Sequence, residues 1–371
     1  MKHYDVAIVG AGMAGASLAA ELAGHASVII LEAEAQPGYH ATGRSAAFWS
    51  ETYGGPHVQP LTTASGPWLQ NPPADFHDGG FLTVRGEVNL GRAQDQQALE
   101  AFTSNFHASP IVLERLDRGG IEARCDFLKP DWDRGIAVPS CADIDVAALH
   151  HAYLRAAKKR GAELRCSSAI HSAGYAHGRW TLATQSGLVA AKLLVNAAGA
   201  WADEVAIVSG LAPIGILPFR RTMLEVTLDR RVPKSLALHI DIQGSFYFKS
   251  DGSGGLLLSP HDETATSPHD VSPDEIDVAL AIDRFERIAE ARVVKLRHKW
   301  AGLRSFSADR LPVYGFDSRN PAFFWHAGQG GFGIQTAPAA ARLSAQIILG
   351  RSPDEMTRNI DAERYVPARF T

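Results

Sequence analysis

The chain has 371 residues, of which 46% are hydrophobic and 20% are charged, and its formal net charge at pH 7 is −4. These values are typical of a water-soluble globular protein with two domains, and they argue against a protein that binds nucleic acid or anionic membranes through a basic surface. No run reaches the roughly 18 apolar residues of a membrane span, and three widely spaced cysteines (Cys125, Cys141 and Cys166) argue against a disulfide framework and a zinc site.

A glycine-rich turn follows the first apolar run. Val6–Val9 leads into Gly10, Gly12 and Gly15, which have the G-x-G-x-x-G spacing. Gly10 permits a tight strand-to-helix turn, Gly12 lets a pyrophosphate approach the backbone, and Gly15 lets the helix lie close to the sheet. The N–H groups at the start of such a helix attract phosphate. Because this strand begins within a few residues of the start of the chain, we expect no cleavable signal peptide and a location that is cytoplasmic, or peripheral on the inner face of a membrane.

A second apolar run, Val28–Leu31, ends on Glu32, 20 residues after Gly12. A carboxylate at the end of this strand can accept hydrogen bonds from both ribose hydroxyls of an adenosine, which favours FAD or NAD over NADP. The segment thus has every part of a dinucleotide-binding motif: a strand, the glycine turn, a helix, a second strand and a terminal acid. It therefore predicts a site for an adenine dinucleotide.

The rest of the chain alternates between apolar runs and turn residues. In chain order it predicts a loop at 36–54, irregular or helical structure at 56–73, a strand at 80–89, a helix at 92–119, a strand at 135–139, a helix at 146–160 capped by Asp143 or Asp145, a strand at 164–170, a hairpin of 180–184 with 187–192, a strand at 193–203 ending in a small-residue turn, strands at 220–226 and 245–249, a loop at 259–275, a helix at about 273–294, and a strand, glycine turn and helix at 321–350.

These elements predict an α/β protein with a discontinuous Rossmann-like domain. The dinucleotide-binding domain is expected at 1–80, 143–215 and 300–371. An inserted α+β domain, built on an antiparallel sheet, is expected at 81–142 and 216–299.

Four segments resemble, in this order, those of the FAD-dependent D-amino-acid oxidase (DAO) superfamily, the group of glycine oxidase, sarcosine oxidase and D-amino-acid dehydrogenase. They are GAGMAGAS with Glu32, VNAAGAWAD, WAGLRSFSADRLPVYG and WHAGQGGFGIQTAP. Within that group, the chain is most similar to bacterial D-arginine dehydrogenases, through GYHATGRSAAFW, ADIDVAALHHAYLR, SFYFK and AGQGGFGIQT. The resemblance covers essentially the whole chain, and it implies that the discontinuous domain binds FAD and that the insert binds the substrate.

The glycine motif and the resemblance together imply the residues at the cofactor. They are Gly10, Gly12, Ala14, Gly15, Glu32, Ala33, Ala41, Thr42, Gly43, Arg44, Ser45, Ala46, Ala47, Phe48, Ile170, Ala198, Gly199, Arg304, Gly330, Gly331, Phe332, Gly333, Ile334, Gln335 and Thr336. The glycine turn before the final helix can stabilise negative charge on a reduced flavin with its N–H groups. Since no cysteine follows Cys166, a cysteinyl link from the C-terminal part is impossible, and we expect non-covalent FAD.

For the substrate, the resemblance places a carboxylate between Arg221 and Arg304, and two guanidinium groups suit a planar carboxylate. Tyr53 and Tyr247 match the tyrosines that close over the substrate. All four are the expected catalytic residues. Two alternatives stay open. Arg220 rather than Arg221 could be the buried arginine, and the tyrosines could be core residues whose hydroxyls are satisfied by hydrogen bonds.

Glu87 matches the acid that takes a cationic substrate side chain, although it could instead pair with Arg85 on the same strand. Gly331 and Gln335 match positions near the substrate and the flavin. Phe48 departs from the D-arginine enzymes, which have a histidine there, and a larger apolar side chain could favour apolar or smaller substrates.

The expected reaction is FAD-dependent oxidative deamination of D-amino acids, D-arginine and D-lysine or a broad range, to 2-oxo acids and ammonia by hydride transfer from Cα to flavin N5. The electron acceptor would be a quinone, an electron-transfer protein or oxygen, and neither a metal nor a nucleic acid is implied. The alternatives are a related FAD oxidoreductase acting on glycine derivatives, N-methyl amino acids or a 2-hydroxy acid, and a flavin-binding subunit without catalysis of its own.

Overall fold

The computed structural model describes residues 2–370, so positions 1 and 371 at the outer ends of the predicted dinucleotide domain lie outside the described residues. The strands are β1 (Lys2–Val9), β2 (Val28–Leu31), β3 (Phe48–Trp49), β4 (Leu82–Val84), β5 (Glu87–Gly91), β6 (Glu114–Leu116), β7 (Arg134–Val138), β8 (Ala142–Ile144), β9 (Glu163–Arg165), β10 (Ile170–Ala176), β11 (Arg179–Thr184), β12 (Gly187–Asn196), β13 (Leu217–Leu228), β14 (Leu238–Asp241), β15 (Tyr247–Ser250), β16 (Leu256–Ser259), β17 (Thr264–Ala265), β18 (Val293–Phe306), β19 (Val313–Phe316), β20 (Phe323–Ala327) and β21 (Gln329–Gly330). The α-helices are α1 (Met13–Leu22), α2 (Gln59–Gln70), α3 (Gln96–Asn105), α4 (Arg118–Glu122), α5 (Val146–Lys159), α6 (Ala202–Val208), α7 (Glu275–Ile288) and α8 (Ala337–Leu349).

The first sheet has the parallel centre expected of a dinucleotide fold. Its order is β10-β11-β12-β1-β2-β9, and β20 joins β12 in parallel while β19 adds an antiparallel strand. Helix α1 packs against α5 and α8 over this sheet, and small residues such as Ala16 and Ala19 are fully buried there. The predicted α/β class with a Rossmann-like unit is confirmed.

The second sheet runs in the order β21-β18-β13-β16-β15-β14-β5-β7-β6 and is antiparallel except where β14 meets β5. Its longest pair is β13 with β18, from Leu217 opposite Phe306 to Leu228 opposite Val293. Helix α7 covers one face of this sheet. The predicted boundary at residue 300 falls inside β18, and the domain limits remain a prediction.

A small third sheet, β3-β8-β4, holds the loop that follows Glu32 against the insert. Phe48 pairs with Asp143, and Trp49 pairs with Ala142. The predicted cap of α5 is Asp145, whose carboxylate accepts a hydrogen bond from the Ala148 N–H at 2.9 Å. This arrangement packs Phe48 against a buried cluster that includes Met223 and Tyr247 of the second sheet.

Two predicted elements are divided by a change in backbone conformation. The predicted strand 80–89 is interrupted at Gly86, whose φ is 77°, so that β4 and β5 belong to different sheets. The predicted strand 164–170 stops at Arg165, and Ser167 has a φ of 48° before β10 begins.

Two predicted helices are too long. The helix predicted at 92–119 ends at Asn105, and beyond Pro110, which cannot donate a helical hydrogen bond, the chain forms β6 and α4. The helix predicted to reach residue 294 ends at Ile288, because the β-branched Val293 and Val294 begin the pairing of β18 with β13.

Candidate active site

One continuous cavity of about 490 Å³ is lined both by the glycine turn and by the predicted arginine pair. The predicted site residues in its lining are Gly10, Gly12, Ala14, Glu32, Ala33, Ala41, Thr42, Arg44, Ser45, Ala46, Ile170, Ala198, Gly199, Arg221, Tyr247, Arg304, Gly330, Gly331, Gly333 and Ile334. The remaining predicted residues lie outside this lining. They are Gly15, Gly43, Ala47, Phe48, Tyr53, Glu87, Phe332, Gln335 and Thr336.

The glycine turn is built by close approach of backbone to backbone. Gly10 has a φ of 99°, and a Cβ there would lie 2.5 Å from the Ala197 carbonyl oxygen. A Cβ on Gly15 would overlap the Gly10 carbonyl, so α1 can lie against the strand end only with glycine at this position. The Met13 N–H at the start of α1 donates to Thr42 Oγ1 at 2.9 Å, which fixes the following loop over the helix terminus.

Glu32 is buried at the end of β2. Its carboxylate accepts hydrogen bonds from the N–H groups of Ala11, at 2.7 Å, and Glu34, at 3.0 Å. An ionised carboxylate has about four acceptor positions, so two remain for the hydroxyls of a ribose in the cavity. The arrangement suits an adenosine with an unphosphorylated ribose.

Arg44 lines the cavity through the loop before β3, but its side chain is directed to the insert. The guanidinium donates to the carbonyl oxygens of Val271, at 3.0 Å, and Ala301, at 3.3 Å, and forms an ion pair with Asp270. The loop that follows Glu32 is therefore held against the second sheet over the cavity.

The two predicted arginines lie on neighbouring strands. Arg221 on β13 is opposite Gly302, and Arg304 on β18 is opposite Phe219, so the arginines are diagonal neighbours on one face of the sheet. Gly302 also lines the cavity, and a Cβ there would lie 3.5 Å from the Arg44 Cβ.

Arg221 is buried with one donor unused. Its Nε donates to the Asp262 carbonyl oxygen at 2.7 Å, and its Nη2 donates to Glu263 at 3.0 Å. Nη1 is buried without a hydrogen-bond partner. Burial, and then the charge of Arg304, lower the pKa of the Arg221 guanidinium, yet arginine remains protonated in proteins. An unpaired donor on a buried cation is costly, so this position calls for an anion.

Tyr53 and Tyr247 flank the second arginine. Arg304 Nη1 donates to the Tyr53 hydroxyl at 2.7 Å, and Nη2 lies 3.5 Å from the Tyr247 hydroxyl. The Tyr247 hydroxyl in turn donates to Met223 Sδ at 2.8 Å. Both hydroxyls thus lie beside the guanidinium, while the Tyr247 ring also belongs to a buried apolar cluster with Met223.

Gln335 holds the turn that presents Tyr53. It accepts a hydrogen bond from the Ser50 N–H at 3.1 Å, and its Nε2 donates to the Tyr53 carbonyl oxygen at 3.1 Å and to Thr62 Oγ1 at 2.9 Å. Gln335 was predicted to lie near the substrate and the flavin, but it lies behind the Ser50–Tyr53 turn and outside the cavity lining.

Glu87 does not pair with Arg85. Arg85 reaches Asp143 instead, with Nε at 2.5 Å from a carboxylate oxygen, because Gly86 breaks the strand between them. Glu87 is 2% exposed, and its Oε1 accepts from Asn89 Nδ2 at 2.7 Å and from Thr52 Oγ1 at 3.3 Å. Its Oε2 is buried without a partner, and burial raises the pKa of the carboxyl group.

Several residues near the arginines were not predicted, among them Asp262 and Glu263, which accept hydrogen bonds from Arg221. Met223 lies two positions after Arg221 on β13 and lines the cavity, which the alternation of a strand could have indicated. His261 has its ring 5.5 Å from that of Tyr247. Burial, and then the charges of Arg221 and Arg304, lower the pKa of His261 to about 3. It follows a strand end in a polar loop, where no sequence signal marks it.

Within residues 2–370, no group of three or more His, Cys, Asp or Glu side chains could hold a metal ion. In the same part of the chain, no helix has the length and apolar character needed to cross a membrane.

Comparison with known proteins shows that the chain is similar to flavoenzymes. The family model described as "DAO: FAD dependent oxidoreductase" matches residues 5–347. An opine oxidase subunit from Agrobacterium tumefaciens (strain Ach5) is 24% identical over 374 residues, which cover 96% of this chain and 96% of that protein. Glycine oxidase from Geobacillus kaustophilus has a similar structure, with a TM-score of 0.85 and 22% identity over 100% of both chains. L-proline dehydrogenase from P. horikoshii has a TM-score of 0.86 and 18% identity, covering 100% of this chain and 98% of that chain. At these identities the structural likeness shows a shared fold.

Proposed function

The chain belongs to the DAO family of FAD-dependent oxidoreductases, and we propose that it oxidises the amino group of a D-amino acid to give a 2-oxo acid and ammonia. FAD is its cofactor, as predicted. The described residues fit this group, because a side chain on Gly10 would close the turn against Ala197, and Glu32 keeps free acceptor positions beside the same cavity.

The observation that carries the proposal is the unpaired Nη1 of Arg221 beside Arg304. A carboxylate placed between the two guanidinium groups would satisfy that donor and offset the like charges. Both arginines line the cavity that the dinucleotide motif also lines, so a carboxylate bound by them would lie close to the cofactor.

The protein's part in the reaction is to bind and orient. Arg221 and Arg304 would fix the carboxylate, and the Tyr53 and Tyr247 hydroxyls would limit how the substrate can rotate about it. When bound, FAD supplies the two-electron oxidation that converts an amino acid to an imino acid, which water then hydrolyses. His261 is neutral at physiological pH, so it adds no further positive charge beside the arginines.

The resemblance to D-arginine dehydrogenases supports a D-amino acid, and basic substrates in particular if Glu87 contacts the side chain. The acceptor would be a quinone, an electron-transfer protein or oxygen. Non-covalent attachment of FAD and a cytoplasmic or membrane-peripheral location belong to the same proposal.

A second candidate is oxidation of an N-substituted amino acid. It is favoured by the opine oxidase subunit from Agrobacterium tumefaciens, which matches almost the whole of this chain. The name of that relative also fits a chain that works as one part of a larger enzyme. The unpaired donor of Arg221 argues against a subunit without catalysis, because such a chain has no need for a buried anion site.

The test is anaerobic mixing of the FAD-loaded protein with D-amino acids, L-amino acids and N-substituted amino acids, followed by flavin absorbance. We expect D-amino acids to bleach the flavin, and Arg221→Met to abolish bleaching at millimolar substrate while FAD stays bound. Bleaching by N-substituted compounds alone would favour the second candidate, and bleaching by none of the panel would refute both. Admitting air after reduction tests oxygen as the acceptor.

A further inference from the structure

A cluster of apolar side chains separates the cavity from Glu87. We call this cluster the apolar wall, and its members are Cys141, Met223, Leu238 and Tyr247, with Phe48 packed against them. Met223 and Tyr247 line the cavity directly. The Phe48 ring is 5.2 Å from that of Tyr53, so it closes the wall next to the tyrosine that contacts Arg304.

The other members of the wall contact Glu87. Leu238 is the register partner of Glu87 between β14 and β5. Cys141 lies beside the residues that precede Glu87, because the backbone N–H groups of Arg85 and Gly86 donate to its carbonyl oxygen at 2.9 and 2.8 Å. Glu87 itself is outside the cavity lining. One layer of apolar side chains therefore lies between the carboxyl group and any substrate.

Glu87 has no cationic partner in the part of the chain that the structure describes. Arg85 and Lys249 both pair with Asp143, Lys249 through its Nζ at 2.7 Å. A buried carboxyl group with no counter-ion is more stable in its neutral form. It is then a poor receptor for an ammonium or guanidinium group, which would also have to cross the wall.

The hydrogen bonds of Glu87 indicate that it holds the turn before Tyr53 in place. Thr52 donates to its Oε1, and the Thr52 hydroxyl is 3.0 Å from that of Ser50. These residues form the turn that carries Tyr53, which Gln335 holds from the other side. Glu87 is thus placed to position the turn rather than to contact the substrate.

We infer that the enzyme selects uncharged, apolar substrate side chains, that Phe48 and the apolar wall impose this selection, and that Glu87 is a positioning residue behind it. The inference rests on the proposed function for its substrate class. Burying an uncompensated charge against an apolar surface is costly, so a cationic side chain is rejected although an acid lies one layer away.

The test compares compounds that differ only in a terminal ammonium group. For turnover, we expect kcat/KM for D-norleucine to exceed that for D-lysine by roughly 100-fold or more, the discrimination typical of a pocket with no partner for a polar group. For binding without turnover, hexanoate should perturb the flavin spectrum with a Kd at least about tenfold below that of 6-aminohexanoate. Both compounds offer a carboxylate to the arginines, so this comparison does not depend on amino-acid oxidation.

Variants distinguish the contribution of the apolar wall to substrate selection from that of Glu87. Phe48→Ala should raise the D-lysine to D-norleucine ratio of kcat/KM by about tenfold, because it opens a path to Glu87. Adding Glu87→Gln should remove this gain, whereas Glu87→Gln alone should leave both the ratio and kcat unchanged, because its amide oxygen still accepts from Thr52. Glu87→Leu has no such acceptor and should lower kcat for both substrates by displacing Tyr53. Phe102→Ala, in a helix that belongs neither to the wall nor to the cavity lining, is the matched control and should leave the D-lysine to D-norleucine ratio unchanged.

The outcomes are distinguishable. Preference of the unaltered protein for D-lysine, lost in Glu87→Gln, would overturn the inference and leave the proposed function intact. A gain in Phe48→Ala that persists without Glu87 would also overturn it, since Phe48 would then act through size alone. Inactivity with every amino acid would refute the proposed function. Equal binding of hexanoate and 6-aminohexanoate would refute, independently of turnover, the inference that the apolar wall rejects a cationic group. If Phe48→Ala does not fold, Phe48→Leu and the ligand pair serve the same comparison.

Discussion

Gly331→Ala should disable the site while leaving the fold intact. A Cβ on Gly331 would overlap the Tyr53 hydroxyl and lie 3.1 Å from Arg304 Nη1. Since Gly331 has no left-handed φ, the clash is the whole effect. The hydroxyl would have to move by about 1 Å, and a misplacement of that size costs roughly 100-fold in rate. We therefore expect kcat/KM for a D-amino acid to fall by about two orders of magnitude.

The assay is steady-state oxidation with an artificial electron acceptor, together with Tm and bound FAD. Gly174→Ala is the matched control, because no atom lies within 4 Å of a Cβ at Gly174 and its φ is also not positive, so its kinetics should not change. Tyr53→Phe removes the oxygen that the new methyl would meet. The double variant Gly331→Ala/Tyr53→Phe should therefore be no slower than Tyr53→Phe alone, and rate losses that multiply would refute the reasoning.

Three further predictions concern cofactor retention, acid stability and substrate binding. Asp270→Asn, which removes the charge paired with Arg44, should raise the Kd for FAD by up to about fivefold, the worth of an exposed ion pair, as measured by titration of the apoprotein. Burial lowers the pKa of His326 to about 3. Between about pH 6.5 and 3 this histidine is therefore protonated in the unfolded chain but neutral in the folded protein. As the pH falls through this range, His326 lowers the free energy of unfolding by up to about 1.4 kcal/mol per pH unit. The Tm of His326→Gln should accordingly fall less steeply with acid than that of the unaltered protein, and parallel Tm curves would contradict this. Glu263→Gln removes the charge bonded to Arg221 Nη2 and should raise the Kd of hexanoate by roughly fivefold, because Arg221 loses the partner that holds it in place. An unchanged Kd would show that Arg221 needs no such support.

The cofactor half of the site could be predicted because its signals are local. Val28–Leu31 has the predicted bounds, and α1 starts directly after Gly12, since both depend on short runs and on glycines whose φ or close contacts no other residue allows. The small-residue turn at Gly199 was also placed correctly, although its strand ends earlier, at Asn196.

The substrate half depends on contacts between distant segments. Nothing near Arg221 in sequence shows that its strand pairs with that of Arg304, and only this register makes them diagonal neighbours. Glu87 shows the same limit more sharply. Alternation puts it on the same side as Arg85, but a single left-handed residue, Gly86, separates the two strands and sends the side chains to different partners. Whether Glu87 reaches a substrate is decided by residues that lie far from it in the sequence.

The pairing of β18 with β21 bears on how molecules enter. Ser305 and Phe306 of the second sheet pair with Gly330 and Gln329, which belong to the turn beside the cofactor cavity. The residue before this pairing, Arg304, also bonds to Tyr53 from the other part of the chain. Gly328 alone separates β20 of the first sheet from β21 of the second, so a hinge opening between the two sheets would have to bend the chain at Gly328 and break the bond between Arg304 and Tyr53. We therefore expect substrates to enter and leave by movement of individual loops and side chains, with the two halves of the molecule behaving mechanically as one body.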